Sequence, residues 1–167
     1  MPGERAAEKL KERIPEAILG VEDMLGQAVV LVKPESIVEV CRFLRDDEEL
    51  AFNLLSDLTA VDVFESEPRF QVVYHLTSLK THDRLRLKVP VYAGEPALPS
   101  VTDVWPGANW FEREVYDMFG ITFTGHPDLT RILMPDDEQG HPLRKDFPLL
   151  GTREETVLLY EDVRDVL

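Results

Sequence analysis

The sequence predicts an α+β domain, a two-layer arrangement of helices on a mixed β-sheet, followed by an extended irregular C-terminal arm. Three observations carry this expectation. Helix-spaced and strand-spaced segments come in groups: a helix, one or two strands, a helix, then three strands, not the alternation of βαβ units. Residues 84–91 alternate strictly, with Leu85, Leu87, Val89 and Val91 between Arg84, Arg86, Lys88 and Pro90, as a half-buried strand requires. After Phe123 all periodicity ends while prolines recur at 127, 135, 142 and 148. The boundary divides the chain into a domain of residues 1–124 and an arm of residues 125–167.

Taken in order, Glu4 to Ile14 reads as an amphipathic helix with Ala6, Ala7, Leu10 and Ile14 on one stripe, ended by Pro15. Ala17 to Val21 is a short strand candidate. Gln27 to Val32 is apolar, β-branched and closed by Lys33-Pro34, which makes it a strand. Ser36 and Glu39 have the spacing of a capping box, opening a helix that carries Ile37, Val40, Cys41 and Leu44 and stops at the acidic cluster 46–49. Leu54 to Phe64 is the next strand. Phe70, Val72, Tyr74 and Leu76 then alternate with polar or smaller residues, and the loop 78–83 joins this strand to residues 84–91 as an antiparallel hairpin. Residues 94–99 read as a loop. A helix of about ten residues follows, with Asn109 and Glu112 as a variant capping pair and Gly120 in the left-handed position after its end. Phe111, Val115, Met118 and Phe119 form its apolar face; Glu112, Arg113, Glu114 and Asp117 are expected largely off that face, with Arg113 and Asp117 paired at i,i+4. Val157 to Tyr160 reads as a final strand or helical turn.

Composition narrows the function classes. With 32 acidic against 18 basic residues the formal net charge is −14, which repels a phosphate backbone, so nucleic acid is not an expected partner. The single cysteine, Cys41, cannot form an internal disulfide or hold an iron–sulfur cluster, and reads as a core residue of a reduced protein. The N-terminus opens into a charged helix instead of an apolar signal segment, and the longest apolar run is the five residues Ala28 to Val32, so no direct membrane insertion is expected.

Chemistry-bearing residues cluster late in the chain. His126 with Asp128, and His141 with Asp146, offer nitrogen and oxygen ligands to zinc or iron. Neither spacing is an established ligand motif, and each histidine lies between glycine and proline, the composition of a turn. Glu112, Glu114 and Asp117 could act as acids and bases, but charges on a short helix are ordinarily solvated. Phosphate-binding glycine loops and nucleophile elbows are absent from the sequence. Arg84, Arg86 and Lys88 stand out against the acidic background, either as a solvated sheet face or as a patch for an acidic partner. Some 25 irregular residues in a compact domain mark a functional segment or one ordered by an outside contact, and the missing apolar periodicity predicts partial disorder of the arm in the isolated chain.

The run Glu112-Arg113-Glu114-Val115-Tyr116-Asp117-Met118-Phe119-Gly120-Ile121, with Gly125-His126-Pro127-Asp128-Leu129 and Gly140-His141-Pro142-Leu143-Arg144-Lys145-Asp146-Phe147-Pro148, closely resembles one family. It is similar to the thirty-kilodalton subunit of respiratory complex I, known in bacteria as the C subunit of NADH-quinone oxidoreductase. Thr130 before Arg131, and Glu138-Gln139 before the second Gly-His-Pro, depart from the usual pattern. The resemblance implies a structural subunit of the peripheral arm of this proton-pumping complex. It would lie peripherally on the cytoplasmic side of the bacterial inner cell membrane, with no catalytic or metal residues. It also implies no cofactor on this chain: NADH, FMN, iron–sulfur clusters and quinone would be bound by other subunits. The implied partners are the D and B subunits, with the I subunit as a further candidate. The implied docking residues are Glu112, Arg113, Glu114, Asp117, His126, Asp128, Arg131, His141, Arg144, Lys145 and Asp146. Two other readings are a homologous subunit of a membrane-bound hydrogenase or a ferredoxin-, formate- or F420-linked complex, and a free-standing metalloenzyme using His126, Asp128 and His141.

Overall fold

The computed structural model of the chain describes residues 3–64, 66–149 and 151. Helix α1 (Glu4–Arg13) ends where Ile14 leaves helical backbone (φ −138°, ψ 56°), as a residue before proline must. A 3₁₀ turn leads to β1 (Ile18–Met24) and β2 (Gln27–Val32). A second 3₁₀ turn, Pro34–Ser36, precedes α2 (Ile37–Asp46). Strands β3 (Leu54–Asp62), β4 (Phe70–Thr77) and β5 (Arg84–Val91) follow, then β6 (Ala97–Pro99), α3 (Ala108–Phe119) and β7 (Thr122–Thr124).

The sheet has the order β1-β2-β5-β4-β3. β2 and β5 run parallel and every other pair is antiparallel, so the sheet is mixed, as expected. The register sets Phe70, Val72, Tyr74 and Leu76 opposite Val91, Val89, Leu87 and Leu85, and all eight are buried. They form one core with Ile37, Val40, Cys41 and Leu44 of α2 and Val115, Met118 and Phe119 of α3. Burial at this depth contributes about 1.5–3 kcal/mol per large aliphatic side chain, which is what holds the helices to the sheet.

The other face of the sheet carries the basic strand. Because β5 is central, Arg86 lies in a cross-strand row with Val29 and Glu22 on one side and His75 and Asp57 on the other. Its Nη2 donates to Gln27 Oε1 at 3.3 Å. Arg86 is therefore flanked in its row by acids on the two edge strands, Glu22 and Asp57, whereas the rows of Arg84 and Lys88 carry no acid.

Several local expectations change. β3 stops at Asp62 because the Asp62 carboxylate accepts from the Phe64 amide (2.9 Å), closing an Asx turn that lifts the chain out of the sheet. Residues 97–99 are not loop but pair in parallel with β7; three-residue strands carry no readable period. The Ser36–Glu39 capping box does not form. Ser36 sits in near-helical backbone (φ −99°, ψ 0°) at the end of the turn that Pro34 begins, and the extended geometry that aims an N-cap side chain is absent. Nor does Asn109 cap α3: Gly107, two residues earlier, holds the cap position, the helix starts at Ala108, and Glu112 is used elsewhere.

Candidate docking site on the last helix and its arm

Along α3, two of the four charged residues expected on the solvent side are inside. Glu112 and Asp117 are both fully buried. Glu112 points toward the loop before the helix, where the Val101 amide donates to Oε1 and the Ser100 hydroxyl to Oε2, each at 2.7 Å. It caps a neighbouring loop instead of its own helix. Burial pushes its carboxyl up from 4.5 to about 7, and the two hydrogen bonds offset only part of that rise. The folded state therefore holds this proton more tightly than the unfolded one. The stability it supports is complete below about pH 4.5 and declines as the pH rises to about 7, by about 3 kcal/mol in all. Glu112→Gln should remove this decline: the difference in urea midpoint between variant and wild type should grow in the variant's favour from pH 5 to pH 8. A constant difference would show that Glu112 does not titrate in this range.

Asp117 points the opposite way, to the arm. Its Oδ2 accepts from three consecutive amides, Ile132 (3.0 Å), Leu133 (2.8 Å) and Met134 (2.9 Å), and its Oδ1 accepts from Arg131 Nη1 at 2.7 Å. Burial would raise this carboxyl; the three amides and the guanidinium outweigh it and hold Asp117 below its ordinary value. Arg131 Nη2 continues to the carbonyls of Glu138 (2.9 Å) and Gly140 (3.1 Å), so one ion pair organises ten residues of chain. The expected Arg113–Asp117 pair does not form. Arg113 donates instead to the carbonyls of Thr130 (Nε, 3.0 Å) and Arg131 (Nη2, 2.8 Å), and its guanidinium lies over the Trp110 ring.

The arm also completes the end of the helix. A helix leaves its last carbonyls without intrahelical donors. Here the carbonyl of Asp117 accepts from His141 Nδ1 (2.9 Å), that of Met118 from the Leu143 amide (3.0 Å) and that of Phe119 from Arg144 Nε (2.5 Å). Because a carbonyl only accepts, His141 carries its proton on Nδ1; burial, with Arg144 and Arg131 nearby, lowers its pKa and keeps it neutral. Gly120 adopts φ +70°, and a Cβ there would collide with His141 Nε2 and fall 2.6 Å from Arg144 Nη2. Glycine is thus required twice at that position, by the backbone and by the arm lying on it.

A second attachment fixes the far part of the arm. Arg69, in the loop between β3 and β4, bonds both Asp62 (Nε 3.0 Å, Nη2 2.8 Å) and Asp146 (Nη1 3.0 Å, Nη2 2.8 Å). The Lys145 amide donates to Asp62 Oδ2 at 2.9 Å. The Arg69 guanidinium beside it, with the amides of Lys145 and Phe64, lowers the Asp62 carboxyl to about 2. The guanidiniums of Arg69 and Arg144 both lie over the Phe70 ring.

The expected site residues are thus distributed as follows. Arg113, Asp117, Arg131, His141, Arg144 and Asp146 meet within the chain, between arm and domain. Both Gly-His-Pro units are turns, with φ +86° at Gly125 and +85° at Gly140. His126 accepts from the Asp128 amide at Nδ1 (3.0 Å) and lies 3.2 Å from the Asn109 carbonyl at Nε2. His126 and His141 are bonded to different parts of α3, and among the described residues no three His, Cys, Asp or Glu side chains gather as metal ligands. Glu114, Asp128 and the Lys145 side chain face solvent. Sequence reasoning missed Asp62 and Arg69. Their only signal was an arginine and an aspartate flanking a turn, which is common everywhere. The expectation for 157–160 lies outside the described residues.

Fold and site together define an α+β domain whose last helix is latched and capped by an irregular strap from the same chain. A family model described as "Respiratory-chain NADH dehydrogenase, 30 Kd subunit" matches residues 30–153. The chain is 55% identical over 155 residues to the C subunit of NADH-quinone oxidoreductase from Roseiflexus sp. (strain RS-1), covering 93% of this chain and 88% of that one. It is 52% identical to the corresponding subunit from Geotalea uraniireducens (strain Rf4), covering 90% and 91%. The solved structure titled "Nqo5 of the trypsin-resistant fragment (1-134)" is 38% identical with a TM-score of 0.62, covering 75% of this chain and 99% of that one. A chain of an archaeal membrane-bound sulfane sulfur reductase is 25% identical with a TM-score of 0.75, covering 97% and 91%. The chain belongs to the family of the 30-kDa subunit of respiratory-chain NADH dehydrogenase.

Proposed function

We propose that this chain is a docking subunit in the peripheral arm of an NADH-quinone oxidoreductase, carrying no redox group of its own and holding its neighbours in register. Family membership supports its place in that complex. The observation that carries the docking role is the latch: Asp117, Arg131 and the end of α3 hold residues 131–144 of the irregular arm as a shaped surface. A pre-shaped surface loses little conformational entropy when a partner binds. The single cysteine is too few for an iron–sulfur cluster, in keeping with electrons passing through other subunits.

The partners that fit this reading are the D and B subunits, with the I subunit as a further neighbour, on the cytoplasmic side of the membrane. Among the described residues no helix is long and apolar enough to cross a bilayer, in keeping with peripheral attachment. The chain of the sulfane sulfur reductase complex has the same fold, so a related respiratory complex is the second reading; the 55% and 52% identical relatives favour the NADH-quinone complex. Affinity purification of the tagged chain from cells that assemble the complex should recover the D and B subunits. Recovery without them would overturn the docking assignment, and stoichiometric iron, zinc or flavin in the purified chain would overturn the cofactor-free role.

A further inference from the structure

The arm distributes its side chains in the reverse of the pattern a solvated loop needs. Arg131, His141 and Arg144 turn toward α3 and are partly buried, whereas Leu133 is 62% exposed and Leu143 54%. Space against the domain is not the cause, since Leu129 and Met134 of the same segment pack against the core. Single exposed leucines are ordinary. These two differ in that their backbones are held by adjacent residues of α3: the Leu133 amide by Asp117 Oδ2 at 2.8 Å, the Leu143 amide by the Met118 carbonyl at 3.0 Å. Both side chains are therefore displayed from one end of one helix on locked backbone.

The outward charges of this helix and arm are mainly acidic. Glu114, Asp128 and Asp136 are exposed against one outward cation of the arm, Lys145, while Arg113, Arg131 and Arg144 direct their guanidiniums into contacts within the chain. The outer face of the arm thus offers apolar anchors in an acidic setting. Its complement is an apolar surface rimmed by lysine and arginine.

Resting on the docking reading above, we infer that Leu133 and Leu143 are the anchors of the arm, entering apolar sockets on a basic-rimmed surface of a partner subunit. The inward arginines and Asp117 fix the display and do not themselves touch the partner. Such pre-positioned apolar anchors are the arrangement expected of interface hot spots.

The test uses the tagged full-length chain in cells that assemble the complex. Leu133→Ser/Leu143→Ser should recover at least tenfold less of the D and B subunits, while the urea midpoint of the isolated chain stays at the wild-type value. If the serine pair lowers that midpoint, Leu133→Met/Leu143→Met decides: it keeps the apolar anchors and should restore recovery. Undiminished recovery with the folded serine variant would overturn the anchor assignment and leave the docking function intact. Failure of the wild-type chain to recover any other subunit would overturn the docking function itself. A wild-type dimer in sedimentation that the serine pair converts to monomer would assign the leucines to self-contact and also overturn the proposal.

Discussion

Asp117→Ala is expected to release the arm from the domain. The substitution leaves three adjacent amides and the Arg131 guanidinium without their common acceptor, in a place where the carboxylate was fully buried. Removing one partner of a buried ion pair costs about 3–5 kcal/mol. The loss here should fall near the lower end, about 3 kcal/mol, because the arm can detach and return its amides to water. Asp117→Asn should not rescue it. A carboxamide offers one acceptor oxygen where four donors converge, and turns an N–H toward one of them. The readouts are a lowered urea midpoint and new protease cleavage between residues 130 and 145. Glu114→Ala, an exposed change on the same helix, should stay within about 0.5 kcal/mol of wild type.

Gly120→Ala is expected to attack the same joint from the other side. A left-handed backbone costs a residue with a Cβ about 1–2 kcal/mol. The new methyl would also collide with His141 Nε2 and lie 2.6 Å from Arg144 Nη2. Those side chains can swing aside only by breaking their bonds to the carbonyls of Asp117 and Phe119, so a total of about 2–4 kcal/mol is expected. One readout separates displacement of the arm from simple strain. Burial now lowers the His141 pKa; in the variant, an NMR titration should find it moved up toward the ordinary histidine value near 6.5. An unchanged His141 titration would mean that the arm stays in place and only the helix end is strained.

These two residues also show what the sequence made legible. The sheet could be read because Leu85, Leu87, Val89 and Val91 repeat with period two, and the period places a whole face in the core. Gly120 could be read because a helix end needs a left-handed residue there. Asp117 could not be read correctly. A carboxylate on a short helix is ordinarily solvated, and its burial depends on three amides from residues 132–134, a contact with no periodic signature. The same holds for Glu112, whose partners lie 11 and 12 residues earlier in an aperiodic loop. The family motif marked these positions as a group, and the geometry supplies a reason: most of them tie the arm to the helix. Most of the charges read from sequence as grips on a neighbour also make contacts within the chain itself.

These contacts offer the arm a source of order that its lack of apolar periodicity does not provide. Hydrogen bonds to buried acceptors take the place of a core, and they need no period. The most direct measurement is amide hydrogen exchange on the isolated full-length chain. If the latch forms without partners, the amides of Ile132, Leu133, Met134 and Leu143 should be protected to within about tenfold of the amides of α3. Exchange of these four amides at the rate of an unfolded peptide, with α3 still protected, would contradict a self-latched arm.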